Sequence, residues 1–308
     1  MLKRRQLIGA NFSFQHHPFR WTAEKLSAMG FDRMEFWGVA PHLDLFHDNR
    51  ARLAEVKSIL ADNGLTVRCF TPEQVLYPIN IASGDGAYRE ASVERFMRAA
   101  DISAELGATY LFLTPGRGFE CESRQTAWEH SVASINRIAS HARSLGVSCL
   151  LEPLQRLESN IVTNADELHA VWRALDGDDI DVVLDLVAMA TAGDSVGGYF
   201  ERFGKVLMTA IIKHWFPDRL HALMPIYTSI LSGTGAIASG LVVPISHLAW
   251  GDGTLPLDHP LGQLRAQGFA GTLTFEPFGN GSYALDPVSA WRRCLDAIAP
   301  HLDRADQE

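Results

Sequence analysis

Three acidic residues in this chain each close an apolar run. Glu152 follows Cys149-Leu150-Leu151, Asp185 follows Val182-Val183-Leu184, and Glu276 follows Thr272-Leu273-Thr274-Phe275. Prolines at 153 and 277 stop two of these runs. A fully buried parallel strand reads this way, with one charged group delivered at its C-terminal end. A carboxylate is expensive to bury without a partner. Three of them at strand ends point to a shared cation; the plainer alternative is three unrelated acids facing solvent.

The elements that would position these groups alternate. Apolar runs at 7–14, 33–37, 66–70 and 109–113 read as strands, followed by those that end in Glu152 and Asp185. Helical patterns lie between them at 22–29, 50–62, 85–106, 123–145 and 165–175, with a short one near 199–203. Thr22 is the expected N-cap of the first helix, and Gly30, Gly64, Gly107 and Gly146 are the expected stops. A strand–helix unit of roughly thirty to forty residues means βαβ units and a parallel sheet. Eight units suit a closed (β/α)8 TIM barrel, whose active site lies at the C-terminal ends of the strands. An open doubly wound sheet would carry a Gly-rich phosphate turn after the first strand. Here that loop carries His16 and His17 instead.

The cadence breaks once. Residues 222–245 contain no Asp, Glu, Lys or Arg, and they carry Pro225, Pro244 and scattered Gly and Ser. The length could span a membrane, but the prolines and the position between two barrel strands argue against it. The expectation is a single domain over 1–308 with an atypical insertion at about 206–245. The seventh strand would be Ala210-Ile211-Ile212-Lys213-His214-Trp215-Phe216, ending near His214.

Composition narrows the classes. The 308 residues carry a formal net charge of −9, which disfavours a nucleic-acid-binding face. The four cysteines, Cys69, Cys121, Cys149 and Cys294, fit no zinc spacing. Met1-Leu2-Lys3-Arg4-Arg5 is followed by too short an apolar run for a signal peptide, so a cytoplasmic protein is expected.

Several short motifs, taken in order, resemble a known family. They are Glu35-Phe36-Trp37-Gly38 with Pro41-His42, Phe70-Thr71-Pro72-Glu73 with Tyr77-Pro78-Ile79-Asn80, and Leu151-Glu152-Pro153-Leu154 with Glu158-Ser159-Asn160. With Thr274-Phe275-Glu276-Pro277 they are similar to the xylose isomerase-like sugar isomerase/epimerase barrels, most closely the fructoselysine and ketose 3-epimerase group. The resemblance covers about residues 6–205 and 246–300. It implies a divalent metal at the barrel mouth, held by Glu152, Asp185, a histidine after strand seven and Glu276. His214 is the candidate histidine, with His221 and His247 as competitors. The chain departs from the family here: the family has two histidines one residue apart, the second being the ligand, and this chain has His214-Trp215-Phe216.

Oxygen donors with one imidazole suit Mn2+, Mg2+ or Co2+. The resemblance implies that Glu152 and Glu276 also form an acid/base pair that inverts C3 of a ketose or ketosamine. Glu158 is the implied contact to sugar hydroxyls. His16, Glu35, Trp37 and Tyr77 fall in or near loops on the same face, and Arg117 sits in a Gly-flanked loop that could meet an anionic group. The implied partner is a small-molecule sugar, and the implied oligomer would be of identical chains. Competing readings are an aldose–ketose isomerase, an inositol-type dehydratase, an endonuclease of abasic DNA, or a sugar-binding homologue impaired by a disrupted seventh strand.

Overall fold

The computed structural model describes residues 2–47, 50–74, 78–156, 158–177, 179–204, 211–214, 236–239, 243–246, 258–275 and 285–303. Six parallel strands form one sheet in sequential order: β1 (Gly9–Ala10), β2 (Arg33–Gly38), β3 (Thr66–Pro72), β4 (Tyr110–Leu113), β5 (Ser148–Leu151) and β6 (Ile180–Val182). A second sheet joins β7 (Leu184–Asp185) to β8 (Ile211–His214) and then to β11 (Thr272–Phe275). Only Val183 separates β6 from β7, and its N–H donates to the Leu151 carbonyl at 2.9 Å. At the other seam Leu7 bridges Leu273 in parallel, and the Ile8 N–H donates to the Leu273 carbonyl at 2.9 Å. These two joints close the barrel and, among the described residues, leave it without an open edge.

The expected first strand is shorter than the pattern 7–14 suggested. Phe12–Phe14 turns as a 3-10 helix as soon as the ladder ends. The helices α1 (Phe19–Ala28), α2 (Arg50–Asp62), α3 (Gly86–Glu105), α4 (Arg124–Ser144) and α5 (Ala165–Ala174) follow the strands in turn. Thr22 is not the cap of α1. That helix is entered from Pro18, and the Thr22 hydroxyl donates back to the Pro18 carbonyl at 3.2 Å. Gly30 does end it, with φ at +79°. After β7 come α6 (Leu186–Ala192) and α7 (Val196–Phe203), and later α8 (Asp258–Ala266) and α9 (Pro287–Ile298).

The expected seventh strand forms. Ile211–His214 pairs in parallel with β7 on one side and β11 on the other, so that element of the barrel is not disrupted. Within the stretch expected to be an insertion, β9 (Ala236–Ser239) and β10 (Val243–Ser246) pair antiparallel and join neither barrel sheet among the described residues. No helix among the described residues is long and apolar enough to cross a membrane.

Strand alternation divides the core in two. Ile8, Cys69, Tyr110, Phe112, Leu150 and Val183 meet inside the barrel. Met34, Phe36, Leu111, Leu113, Leu151, Val182, Leu184 and Phe275 instead belong to the larger layer packed with the helices. The lower end of the interior is polar: the Tyr110 hydroxyl donates to Asp181 Oδ2 at 2.9 Å, and the Arg68 guanidinium lies 4.8 Å from the ring centroid.

Candidate active site at the barrel mouth

The alternation places the candidate acids. Glu152 lies two residues past the interior Leu150, and Asp185 lies two past the interior Val183. Glu35 lies between Met34 and Phe36, which both face the helices. By the same parity Thr71 follows Cys69, and Thr114 follows Phe112. A layer of polar groups therefore sits on top of an apolar interior, at the C-terminal ends of the strands. That is the end where barrels of this kind carry chemistry.

Glu152 is 5% exposed, and its N–H donates to the Leu113 carbonyl at 3.1 Å, so the ladder still holds its backbone. Asp185 ends β7. Its Oδ1 accepts from the Ala188 N–H at 2.9 Å and so caps the start of α6. In register, Asp185 pairs with Lys213, and Lys213 pairs in turn with Thr274. His214 pairs with Phe275, whose ring packs 5.3 Å from that of Trp291 on α9. The register therefore gives the position beside Asp185 to residue 213 rather than 214. Glu276 directly follows Phe275 but lies outside the described residues, as do His221, His247 and Tyr77.

The opposite side of the mouth is a tied network. The Thr71 hydroxyl donates to Glu35 Oε1 at 2.5 Å, and Glu35 is 1% exposed. The Trp37 indole N–H donates to Glu73 Oε2 at 3.0 Å, while Phe12 packs 4.3 Å from the Trp37 ring. Asn11 continues the work of β1 with its side chain: Oδ1 accepts from the Trp37 N–H at 2.6 Å and Nδ2 donates to the Trp37 carbonyl at 3.0 Å. The same Nδ2 lies 2.8 Å from His42 Nδ1, and His42 Nε2 lies 2.8 Å from the His17 carbonyl. Only one tautomer suits both contacts, with the proton on Nε2 and the lone pair on Nδ1. Burial first, then the charge of Arg52, lowers the His42 pKa to about 4 against the pull of the His17 carbonyl. His42 is therefore neutral near pH 7. Between β3 and β4, Gln74 Oε1 accepts from both the N–H and the hydroxyl of Thr114, at 2.7 and 2.9 Å.

The remaining candidates have local partners. The Glu158 carboxylate accepts from the Gln155 N–H at 3.1 Å within its own turn. Arg117 pairs with Glu120 at 2.5 Å and donates to the Arg156 carbonyl at 3.1 Å, so it joins two rim loops. His16 is exposed at the edge of the first loop. Asn11, His42, Thr71 and Glu73 hold the site but were not among the candidates from the sequence. His42, Thr71 and Glu73 lay within the motifs that carried the resemblance. Asn11 gave no signal, because nothing local shows that a side chain will extend a strand.

A family model described as xylose isomerase-like TIM barrel matches residues 23–301. The chain belongs to the xylose isomerase-like TIM barrel family. Among curated proteins, it is 24% identical over 262 residues to fructoselysine 3-epimerase of Escherichia coli O157:H7, covering 85% of this chain and 86% of that protein. It is 27% identical over 212 residues to D-psicose 3-epimerase of Agrobacterium fabrum, covering 65% and 70%. Among solved structures, L-ribulose 3-epimerase superposes with a TM-score of 0.71 at 21% identity, over 98% of this chain and 95% of that one.

Glu152 and Asp185 bring two carboxylates to the ends of adjoining strands, and oxygen donors of this kind suit hard divalent cations. Among the described residues no group of three or more His, Cys, Asp or Glu gathers closely enough to hold a metal ion. The rest of the expected set falls on Glu276, outside those residues, and on His214, described by its backbone alone.

Proposed function

We propose that this protein is a sugar epimerase that inverts C3 of a ketose or ketosamine, with Glu152 and Glu276 as its acid/base pair. The observation that carries this reading is the delivery of Glu152 and Asp185 from adjoining strands onto the interior face of one barrel mouth. Similarity to the 3-epimerases supports the reaction class.

Glu152, Asp185 and Glu276 would hold a divalent cation, Mn2+, Mg2+ or Co2+, with His214 as the proposed imidazole donor. Such a cation, when bound, supplies Lewis acidity that stabilises negative charge developing on the carbonyl oxygen. The two glutamates move the proton: one carboxylate takes it from the carbon next to the carbonyl, and the other carboxyl returns one to the opposite face. Burial of Glu152, which is 5% exposed, keeps bulk water from the carboxylate. Trp37, Glu35, Glu73, Tyr77 and Glu158 would line the remainder of the sugar site, with His16 and Arg117 at its rim.

The test is sugar-dependent exchange of deuterium from solvent into the inverted carbon, across a panel of ketoses and Amadori-type amino sugars. Exchange should stop with chelator and with Glu152→Gln or Glu276→Gln. A variant that retains exchange would remove that glutamate from its role. Exchange that survives complete chelation would remove the cation.

A further inference from the structure

The outer wall of the barrel carries a groove that the scheme above does not use. It lies between α2 and α3 and has a volume of about 310 Å3. Its floor is apolar: Leu43 from the loop after β2, Leu53 from α2 and Ile102 from α3, each no more than 5% exposed. Its walls are charged. Arg50, the first residue of α2, faces Arg98, Asp101 and Glu105 of α3 across it. Positions 98, 101, 102 and 105 recur at helical spacing and so share one face of α3.

Several charges on α3 already have neighbours. The Glu90 carboxylate accepts from Arg137 of α4 at 2.7 and 2.5 Å. The Arg95 guanidinium lies 4.1 Å from the centroid of the Phe46 ring, and Asp101 Oδ1 lies 2.8 Å from His141 Nε2 on α4. Arg98 and Glu105 differ. Both are exposed, and among the described residues neither makes a hydrogen bond or an ion pair. They stand two turns apart, about 10 Å along the helix axis. Because α2 and α3 both return from strands of one parallel sheet, they run in the same direction. Arg50 therefore lies toward the Arg98 end, and the groove is basic at one end and acidic at the other.

A second copy of this chain matches that polarity. If the two α3 helices meet end for end about a two-fold axis, position 98 opposes 105 and position 101 opposes 102. Each Arg98 then meets Glu105 of the partner subunit, and the symmetry makes the pair twice. One helix thus supplies both halves of its own complement. We propose that this groove is a self-association surface, on which two copies pack α3 against α3 in antiparallel fashion with reciprocal Arg98–Glu105 ion pairs. Charge order of this kind fixes register and orientation.

The test is analytical ultracentrifugation of the full chain over the micromolar range, for the wild type, Arg98→Glu, Glu105→Arg and the double variant. The assay uses neither sugar nor metal, so its outcome stands apart from the epimerase reading. The wild type should sediment as a dimer. Each single reversal sets like charges against each other at two places and should weaken the dimer by at least about tenfold. The double variant restores opposite charges in exchanged order and should return to within about threefold of the wild type, which also shows that the fold tolerates both substitutions. A monomeric wild type overturns the proposal and leaves the groove to a small ligand. A dimer indifferent to the single reversals places the contact elsewhere and overturns it too. So does a double variant as weak as the singles, which would make the losses local damage rather than a broken pair.

Discussion

Acid should loosen this barrel mouth through His42. The imidazole accepts from Asn11 on Nδ1 and donates to the His17 carbonyl from Nε2, so protonation of Nδ1 destroys the first contact. Its pKa is about 4 in the folded protein, against 6.5 for the free side chain. The unfolded chain therefore takes up the proton first. The stabilisation is fully present above pH 6.5 and is lost as the pH falls from 6.5 towards 4. At pH 5 most unfolded imidazoles are charged and only about one native imidazole in ten is, which corresponds to a loss of about 2 kcal/mol relative to pH 7. The assay is urea unfolding at both pH values, for the wild type and His42→Gln. The variant starts from its own lower stability, so the comparison is between the two pH differences. The wild type should lose about 2 kcal/mol more than the variant over this interval. Equal losses would refute the reasoning and place the acid sensitivity on other groups.

Asn11→Ala should destabilise the protein by about 2–4 kcal/mol, read as a lowered urea midpoint, because it orphans the buried Trp37 N–H and the acceptor nitrogen of His42 and leaves the Trp37 carbonyl with the Val39 N–H alone. Glu152→Gln should lower kcat by roughly a hundredfold or more while leaving the free energy of urea unfolding within about 1 kcal/mol, a result expected of an acid/base group and not of a fold-holding one. His214→Ala decides the fourth donor: a lost imidazole ligand should weaken Mn2+ binding by at least about tenfold. An unchanged affinity would agree with the register that pairs His214 with the outward-packed Phe275, and would remove it from the set.

The barrel was legible because parallel strands buried on both faces leave apolar runs with one polar terminus, and β4, β5 and β11 all follow that rule. Glu152 and Asp185 could be chosen on the same grounds, since few residues can follow such a run and still be charged. Legibility ended where the backbone departed from pattern. The apolar stretch after Leu7 looked like a continuous strand to Phe14, yet the pairing ends at Ala10, Phe12–Phe14 coils, and Asn11 reaches Trp37 with its side chain. Thr22 looked like a helix start because hydroxyl residues favour that place, but Pro18 already supplies the entry. The Gly-flanked loop of Arg117 suggested a place for an anionic group, but it gave no sign that the guanidinium also donates across to the Arg156 carbonyl of another rim loop. Facing partners of this kind come from loops far apart in sequence, and no local pattern records them. Strand seven was expected over 210–216 despite its irregular flanks, with disruption as a competing reading, and four residues with neighbours on both sides suffice for a barrel stave.

Asp185 serves two masters, since the side chain that looks into the barrel mouth also clasps the first turn of α6. A pull on the carboxylate is thereby a pull on that helix and, through residues 193–195, on α7 behind it. Whatever occupies the mouth can be felt on the outside wall of the barrel without any hinge. Asparagine at 185 would keep the clasp and discard the charge, so the mechanical and the chemical halves of this residue can be separated by one nitrogen atom.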